Sequence, residues 1–376
     1  MLVLSRYECD VLVVGGGMAG VSIAAAVAPD RNVLLVEADP QLARHATGRS
    51  AAVWLPSYGG PAVRALTVAS RAMYDELSGE CGVPLLTARG QLWVAVDEPS
   101  LAAVHRLVGQ TDTVELLTAN AARALCPALR PEVLLGAGYD SAAMDIEVAA
   151  LHQLYVTQLR RHQGILLAGS PLHALRHEAG RWTAAVGADQ IGADVVLDAA
   201  GAWVDRVAAL AEVRPIGLQP RRRSAFTCPL PDGLHQAARW PLVGDAAERW
   251  YVKPEGGQIL GSPAEETPSE PCDARPDELE IARALEEINA ATTLELRHVS
   301  RSWAGLRSFV DDREPVVGSY PEQPGFFFFA GQGGYGIQLA PALAALGAAL
   351  LTGRSLPAHL ASAGIEPATL SPQRLP

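Results

Sequence analysis

Short apolar runs alternate with glycine-rich breaks along most of this chain, and the first of them sets the pattern. Val11–Val14 is continuously apolar, three glycines follow, an apolar stretch of helical length begins at Met18, and a second run, Val33–Val36, closes on Glu37. A short apolar run between turn signals predicts a strand buried on both faces, so the segment predicts strand, tight turn, helix, strand. Further on, Ala62–Leu77 carries apolar residues at three- and four-residue spacing and predicts a helix, as do Leu101–Val108, Val148–Gln163 (ended by Gly164) and Asp277–Thr292. Gly90–Val96, Val133–Tyr139, Ala193–Ala199, Arg221–Cys228, Trp250–Lys253 and Phe326–Ala330 predict strands, and Ile165–Leu167 predicts the start of a strand pair continued by Arg181–Val186. Pro263–Pro276 reads as an exposed loop, and Gly333–Leu351 as a turn entering a long helix.

The first unit has the form of a dinucleotide site. Gly15, Gly17 and Gly20 supply G-x-G-x-x-G between a strand and a helix. The first glycine permits the turn, the second lets the backbone approach a pyrophosphate, and the third lets the helix pack against the strand. The helix start at Met18 and Ala19 offers unpaired N–H groups to phosphate. Glu37, followed by Ala38, stands where a carboxylate accepts from ribose hydroxyls. The motif itself leaves NAD and FAD both open.

Length changes the picture from one unit to two: 376 residues predict about two domains. No internal repeat divides them, and the small-residue helix start near Gly333 lies far from the first glycine loop. The fold class expected is α/β. A discontinuous Rossmann-like cofactor domain (1–85, 146–213 and 301–376) is interrupted by an antiparallel-sheet substrate domain (86–145 and 214–300). A net charge of −11 disfavours nucleic acid and anionic membrane as partners. Five scattered cysteines, without a CxxC pair, read as reduced thiols of a cytoplasmic protein, with no metal site. No apolar stretch is long enough to predict a membrane span.

Four further segments carry candidate chemistry. Thr47-Gly48-Arg49-Ser50-Ala51 suits a loop against phosphate or a flat ring, and Ala200-Gly201 ends a strand with small residues that let backbone meet a ligand. Arg307 sits in an apolar stretch, where a planar guanidinium fork needs an anionic partner. Gly333, Gly334, Tyr335, Gly336, Ile337 and Gln338 open the last helix, whose N-terminus stabilises negative charge. Strand alternation places Arg223 on the opposite face from Arg222. Glu265 and Glu266 read as loop charges, and the four phenylalanines Phe326–Phe329 as core.

Together the stretches His45–Ala52, Val63–Ala72, Asp145–Gln153, Leu197–Asp205, Gly217–Phe226, Leu260–Ala264, Trp303–Val310, Gly331–Gln338 and Leu356–Leu360 resemble the D-amino acid oxidase-like family of FAD enzymes, and within it the bacterial D-arginine dehydrogenases. The resemblance implies FAD as cofactor and an amino acid as substrate. It implies that Arg223, Tyr251 and Arg307 hold the substrate carboxylate, that Tyr58 lies near the reacting centre, that the Gly334 carbonyl receives the amine, and that Gln338 lies beside the flavin. A neutral amine then drives hydride departure, and the imino acid hydrolyses to a 2-oxo acid and ammonia. The electron acceptor is unknown.

The chain departs from that pattern around the substrate side chain. Gln91 replaces the acid that grips a guanidinium, Leu55 a threonine and Val53 a histidine. Loss of a buried charge partner costs several kcal/mol, so neutral or apolar D-amino acids are expected to outrank D-arginine and D-lysine. Two alternatives stand beside this reading: oxidation of a secondary amino acid such as sarcosine or proline, and a flavin-binding protein without turnover.

Overall fold

Two large sheets share the chain. The computed structural model describes residues 5–234 and 237–376. The first sheet runs Leu172–Glu178, Arg181–Val186, Asp189–Asp198, Arg6–Val14, Val33–Val36, Ile165–Leu167, with Phe326–Ala330 pairing the end of Asp189–Asp198 and Val316–Ser319 beyond it. Its centre is parallel, and its outer hairpins are antiparallel. Both faces of the central strand are covered: by the period of two, Val11 and Val13 face one core cluster, Leu12 and Val14 the other. Phe327 and Phe329 likewise point one way, Phe326 and Phe328 the other, all at most 2% exposed. Each such ring contributes roughly 1.5–3 kcal/mol by burial.

Helices Met18–Val27, Pro61–Cys81, Val148–Arg161 and Gly336–Thr352 cover one face of this sheet. Small residues let them approach: a Cβ on Gly347 would stand 2.8 Å from Ile23 Cδ1 and 3.0 Å from Phe329 Cε2. No helix is long and apolar enough to cross a membrane among the described residues. All five cysteines are free.

The second sheet runs Thr267–Pro268, Gln219–Pro229, Gln258–Ser262, Tyr251–Glu255, Leu242–Asp245, Gln91–Ala95, Gly136–Asp140, Val114–Leu117, with Arg301–Phe309 on the other edge of Gln219–Pro229. One pair inside it, Leu242–Asp245 with Gln91–Ala95, is parallel, so the expected antiparallel sheet is mixed at that point. Val53–Trp54, Met144–Ile146 and Leu86–Ala88 form a small third sheet.

Three expectations need correction. Arg301–Phe309, assigned to the cofactor domain, bonds along its whole length to Gln219–Pro229 in the second sheet. Ile165–Leu167 does not pair with Arg181–Val186; it lies parallel to Val33–Val36, and Leu172–Glu178 is the hairpin partner. Pro263–Pro276 contains a two-residue strand against Arg221 and Arg222. In each case a long-range ladder outweighs what neighbouring residues in sequence indicate.

Candidate active site

A cavity of 770 Å³ runs between the two sheets. At one end it meets the glycine turn. Gly15 has φ +114°, and a Cβ there would lie 2.5 Å from the Ala199 carbonyl oxygen. Gly17, Met18 and Ala19 line the cavity with the N-terminus of their helix; Gly20 lies beneath, where a Cβ would stand 1.8 Å from the Gly15 oxygen. Thr47 Oγ1 accepts from the Met18 N–H at 2.9 Å, and His152 Nε2 meets the Gly16 carbonyl at 3.0 Å. Glu37 and Ala38 also line the cavity. The Glu37 carboxylate braces the turn as well, accepting from Gly16 N–H at 2.7 Å and Asp39 N–H at 2.8 Å.

The wall between the sheets is the segment Ala46–Ala52. Thr47, Arg49, Ser50 and Ala51 line the cavity, while Gly48 faces a second cleft behind it. Arg49 is not free to meet a phosphate. Its guanidinium donates to the carbonyls of Arg44 at 3.1 Å, Ala274 at 3.1 Å and Ala304 at 2.8 Å, and it pairs with Asp273. Asp273 also pairs with Arg44 at 3.1 Å. The segment Cys272–Ala274 lines the cavity and is thus tied to its wall.

The other side of the cavity is one face of the second sheet. Gln91, Trp93, Leu242, Tyr251, Arg223, Ala225, Gly305 and Arg307 line it, while the alternate residues Leu92, Val94, Val243, Val252 and Phe226 fill the core behind. Arg223 pairs with Gly305, which places Arg307 diagonally across the ladder on the same face. Arg223 is 9% exposed, and its pKa is lowered, by burial first and then by the like charge of Arg307. Arg307 Nη1 is buried without a partner. Two guanidinium groups held together against their repulsion form a site for an anion.

Tyr58 lies over this pair. Its hydroxyl donates to Glu248 Oε2 at 3.2 Å, and its ring meets Tyr335 edge-on at 5.3 Å. Burial, then the Glu248 carboxylate, push its phenol above the usual tyrosine range, so it stays neutral. Gly333, Gly334, Gly336, Ile337 and Gln338 border the same space, with Ala200 and Gly201 nearer the glycine turn. Tyr335 is buried behind them. The Gln338 amide is engaged by protein: its oxygen accepts from Leu55 N–H at 3.2 Å, and its nitrogen donates to Thr67 Oγ1 at 2.9 Å. Val53, Leu55 and Gln91 line the cavity beyond Tyr58.

Sequence reasoning missed Trp93, Glu248, Ser308 and Gln332, all on the cavity. Ser308 Oγ and Gln332 Nε2 are buried without partners, groups that a bound ring bearing carbonyls would satisfy. Strand alternation from Gln91 locates Trp93; nothing local marks Glu248, which a turn at φ +57° brings in.

The cavity therefore offers a glycine turn and helix start at one end, unpaired polar groups in the middle and a paired-arginine face at the other, and these fit a dinucleotide carrying a flavin ring. Residues 10–350 match the profile of the family described as "DAO: FAD dependent oxidoreductase". The chain belongs to this family. Among FAD-dependent oxidoreductases, it is 28% identical over 387 residues to a glycine oxidase of Pseudomonas putida, covering 97% of this chain and 98% of the relative. It is 24% identical over 383 residues to the glycine oxidase of Geobacillus kaustophilus, covering 96% and 100%. The structure of L-proline dehydrogenase from P. horikoshii shares the fold at TM-score 0.84 and 19% identity, covering 98% of each chain. FAD is the cofactor, and FAD-dependent amino acid oxidation is the supported activity.

Proposed function

We propose that this oxidoreductase oxidises the Cα–N bond of a D-amino acid with a neutral or apolar side chain. The observation that carries the reading is the pair Arg223 and Arg307 on one sheet face, bordering the cavity that begins at the glycine turn. Two forked cations fix a carboxylate in position and orientation, which holds the adjacent Cα–H in one direction. Bound FAD supplies the hydride acceptor. Tyr251 and neutral Tyr58 add hydroxyls beside the carboxylate site, and the Gly334 carbonyl accepts from the amine. No side-chain base is assigned, because a neutral amine expels the hydride with its own lone pair. Hydrolysis of the imino acid yields the 2-oxo acid and ammonia.

Gln91 supports the neutral side chain. It is 1% exposed and carries no charge to meet a guanidinium. The full-length relatives named above are glycine oxidases and not D-arginine dehydrogenases, which with Gln91 supports a carboxylate site without a basic substrate. A second reading, glycine or a secondary amino acid such as sarcosine or proline, is favoured by the full-length likeness to glycine oxidases. The same carboxylate site serves both.

The test is anaerobic addition of D-amino acids, L-amino acids, glycine, sarcosine and proline to the yellow holoprotein. Bleaching by D-leucine, D-methionine or D-phenylalanine well ahead of D-arginine supports the first reading. Bleaching by glycine or secondary amines alone supports the second. A spectrum unmoved by any of them overturns both.

A further inference from the structure

Arg223 is oriented from behind by groups that do not touch the cavity. Its Nε donates to the Glu265 carbonyl at 2.8 Å, and its Nη2 meets Glu266 Oε1 at 3.4 Å. Glu266 is shared: Arg313 Nη2 donates to the same Oε1 at 2.8 Å, and Arg313 Nη1 donates to Oε2 at 3.0 Å. Arg313 in turn lies over Phe309, with its Cζ 3.9 Å from the ring centroid. Phe309 closes the strand that carries Arg307 and packs so tightly on Gly333 that a Cβ there would stand 2.2 Å from its Cε1.

The backbone shows that this arrangement has a cost. Arg313 stands at φ +62°, a region that favours glycine, in the turn where its N–H donates to Val310. Burial raises the Glu266 carboxyl pKa, but Arg313 and then Arg223 outweigh burial, so it stays ionised.

We propose that Glu266 and Arg313 are positioning residues for the substrate carboxylate: Arg313 anchors Glu266, and Glu266 holds Arg223 in place against the repulsion of Arg307. This rests on the carboxylate role given above to Arg223 and Arg307. Without Glu266, Arg223 keeps only the Glu265 carbonyl and is free to rotate away from Arg307. The two guanidinium groups then no longer converge on one anion.

The holoenzyme variants Glu266→Gln, Glu266→Asp and Arg313→Gly test it. For Glu266→Gln, KM for the best substrate of the anaerobic panel is expected to rise about tenfold while kcat falls less than about threefold, the pattern of lost ground-state binding. The Kd of benzoate, read from the flavin absorbance change, rises in parallel. Glu266→Asp recovers part of both. Arg313→Gly relieves the backbone and still weakens benzoate, by about threefold or more, as expected when an oriented charged hydrogen bond is lost. Unchanged KM and benzoate Kd overturn the proposal, as does a shift in melting temperature alone. Tighter benzoate binding by Glu266→Gln also overturns it, since Glu266 would then act only as a repelling charge. If no amino acid bleaches even the wild-type flavin, the activity reading fails, and the benzoate titration still decides this one.

Discussion

Gly334 lies directly under the guanidinium of Arg307: a Cβ on it would stand 2.6 Å from Arg307 Cζ and 2.7 Å from Nε. The last helix and the second sheet therefore meet at a glycine that the arginine needs. Gly334→Ala forces Arg307 aside at an overpacking cost of about 1–3 kcal/mol. The expected result is retained FAD with kcat/KM lowered roughly ten- to a hundredfold. Steady-state kinetics and the visible spectrum check it, and wild-type kinetics would remove Arg307 from the carboxylate site.

The proposed preference for a neutral side chain turns on Gln91. Gln91→Glu places a carboxylate on the cavity wall at a site 1% exposed, where a basic substrate side chain would meet it. Charge pairs of this kind change binding by about 2–5 kcal/mol. The kcat/KM ratio of D-arginine to D-leucine should rise about thirtyfold or more. An unchanged ratio means that the substrate side chain lies elsewhere.

Asp273 ties the cavity-lining segment Cys272–Ala274 to Arg44 and Arg49. It is half exposed, so each pair contributes at most about 1 kcal/mol and is screened by salt. Asp273→Asn should release FAD about three- to tenfold faster at low salt, with a smaller difference at high salt. The fluorescence of FAD freed on dilution measures this. Equal release rates at low salt would show that the tie does not retain the cofactor.

His152 links stability to pH. Burial lowers its imidazole pKa below 6.5. The unfolded chain therefore takes up this proton first as pH falls. Stability from this group is complete above pH 6.5, declines below it, and levels off once the folded imidazole is itself protonated. Melting temperature against pH should fall less steeply below 6.5 for His152→Gln than for the wild type. Parallel curves would contradict the buried neutral imidazole.

Much of the first sheet was legible because its strands are continuous apolar runs and its turn uses glycines no other residue replaces. The approach of Arg223 and Arg307 was legible only through resemblance, since they lie 84 residues apart and meet through a ladder. Arg49 looked like a phosphate ligand, but its partners at Asp273 and Ala304 are far away in sequence. Glu266 read as a loop charge because nothing local reveals that two arginines converge on it. Short-range pattern reports which face a residue takes; it does not report what waits on that face.

The course of Arg301–Phe309 has a consequence for any attempt to recombine this protein with a relative. The chain leaves the first sheet, enters the second and returns more than once, and this strand joins the second sheet only a few residues before Val316–Ser319 rejoins the first. A chimaera with one junction between the first strand and the last, Phe326–Ala330, thus mixes parents within at least one sheet. Exchange of the substrate-facing sheet as a unit requires several junctions at once, one of them within the turn that holds Arg313.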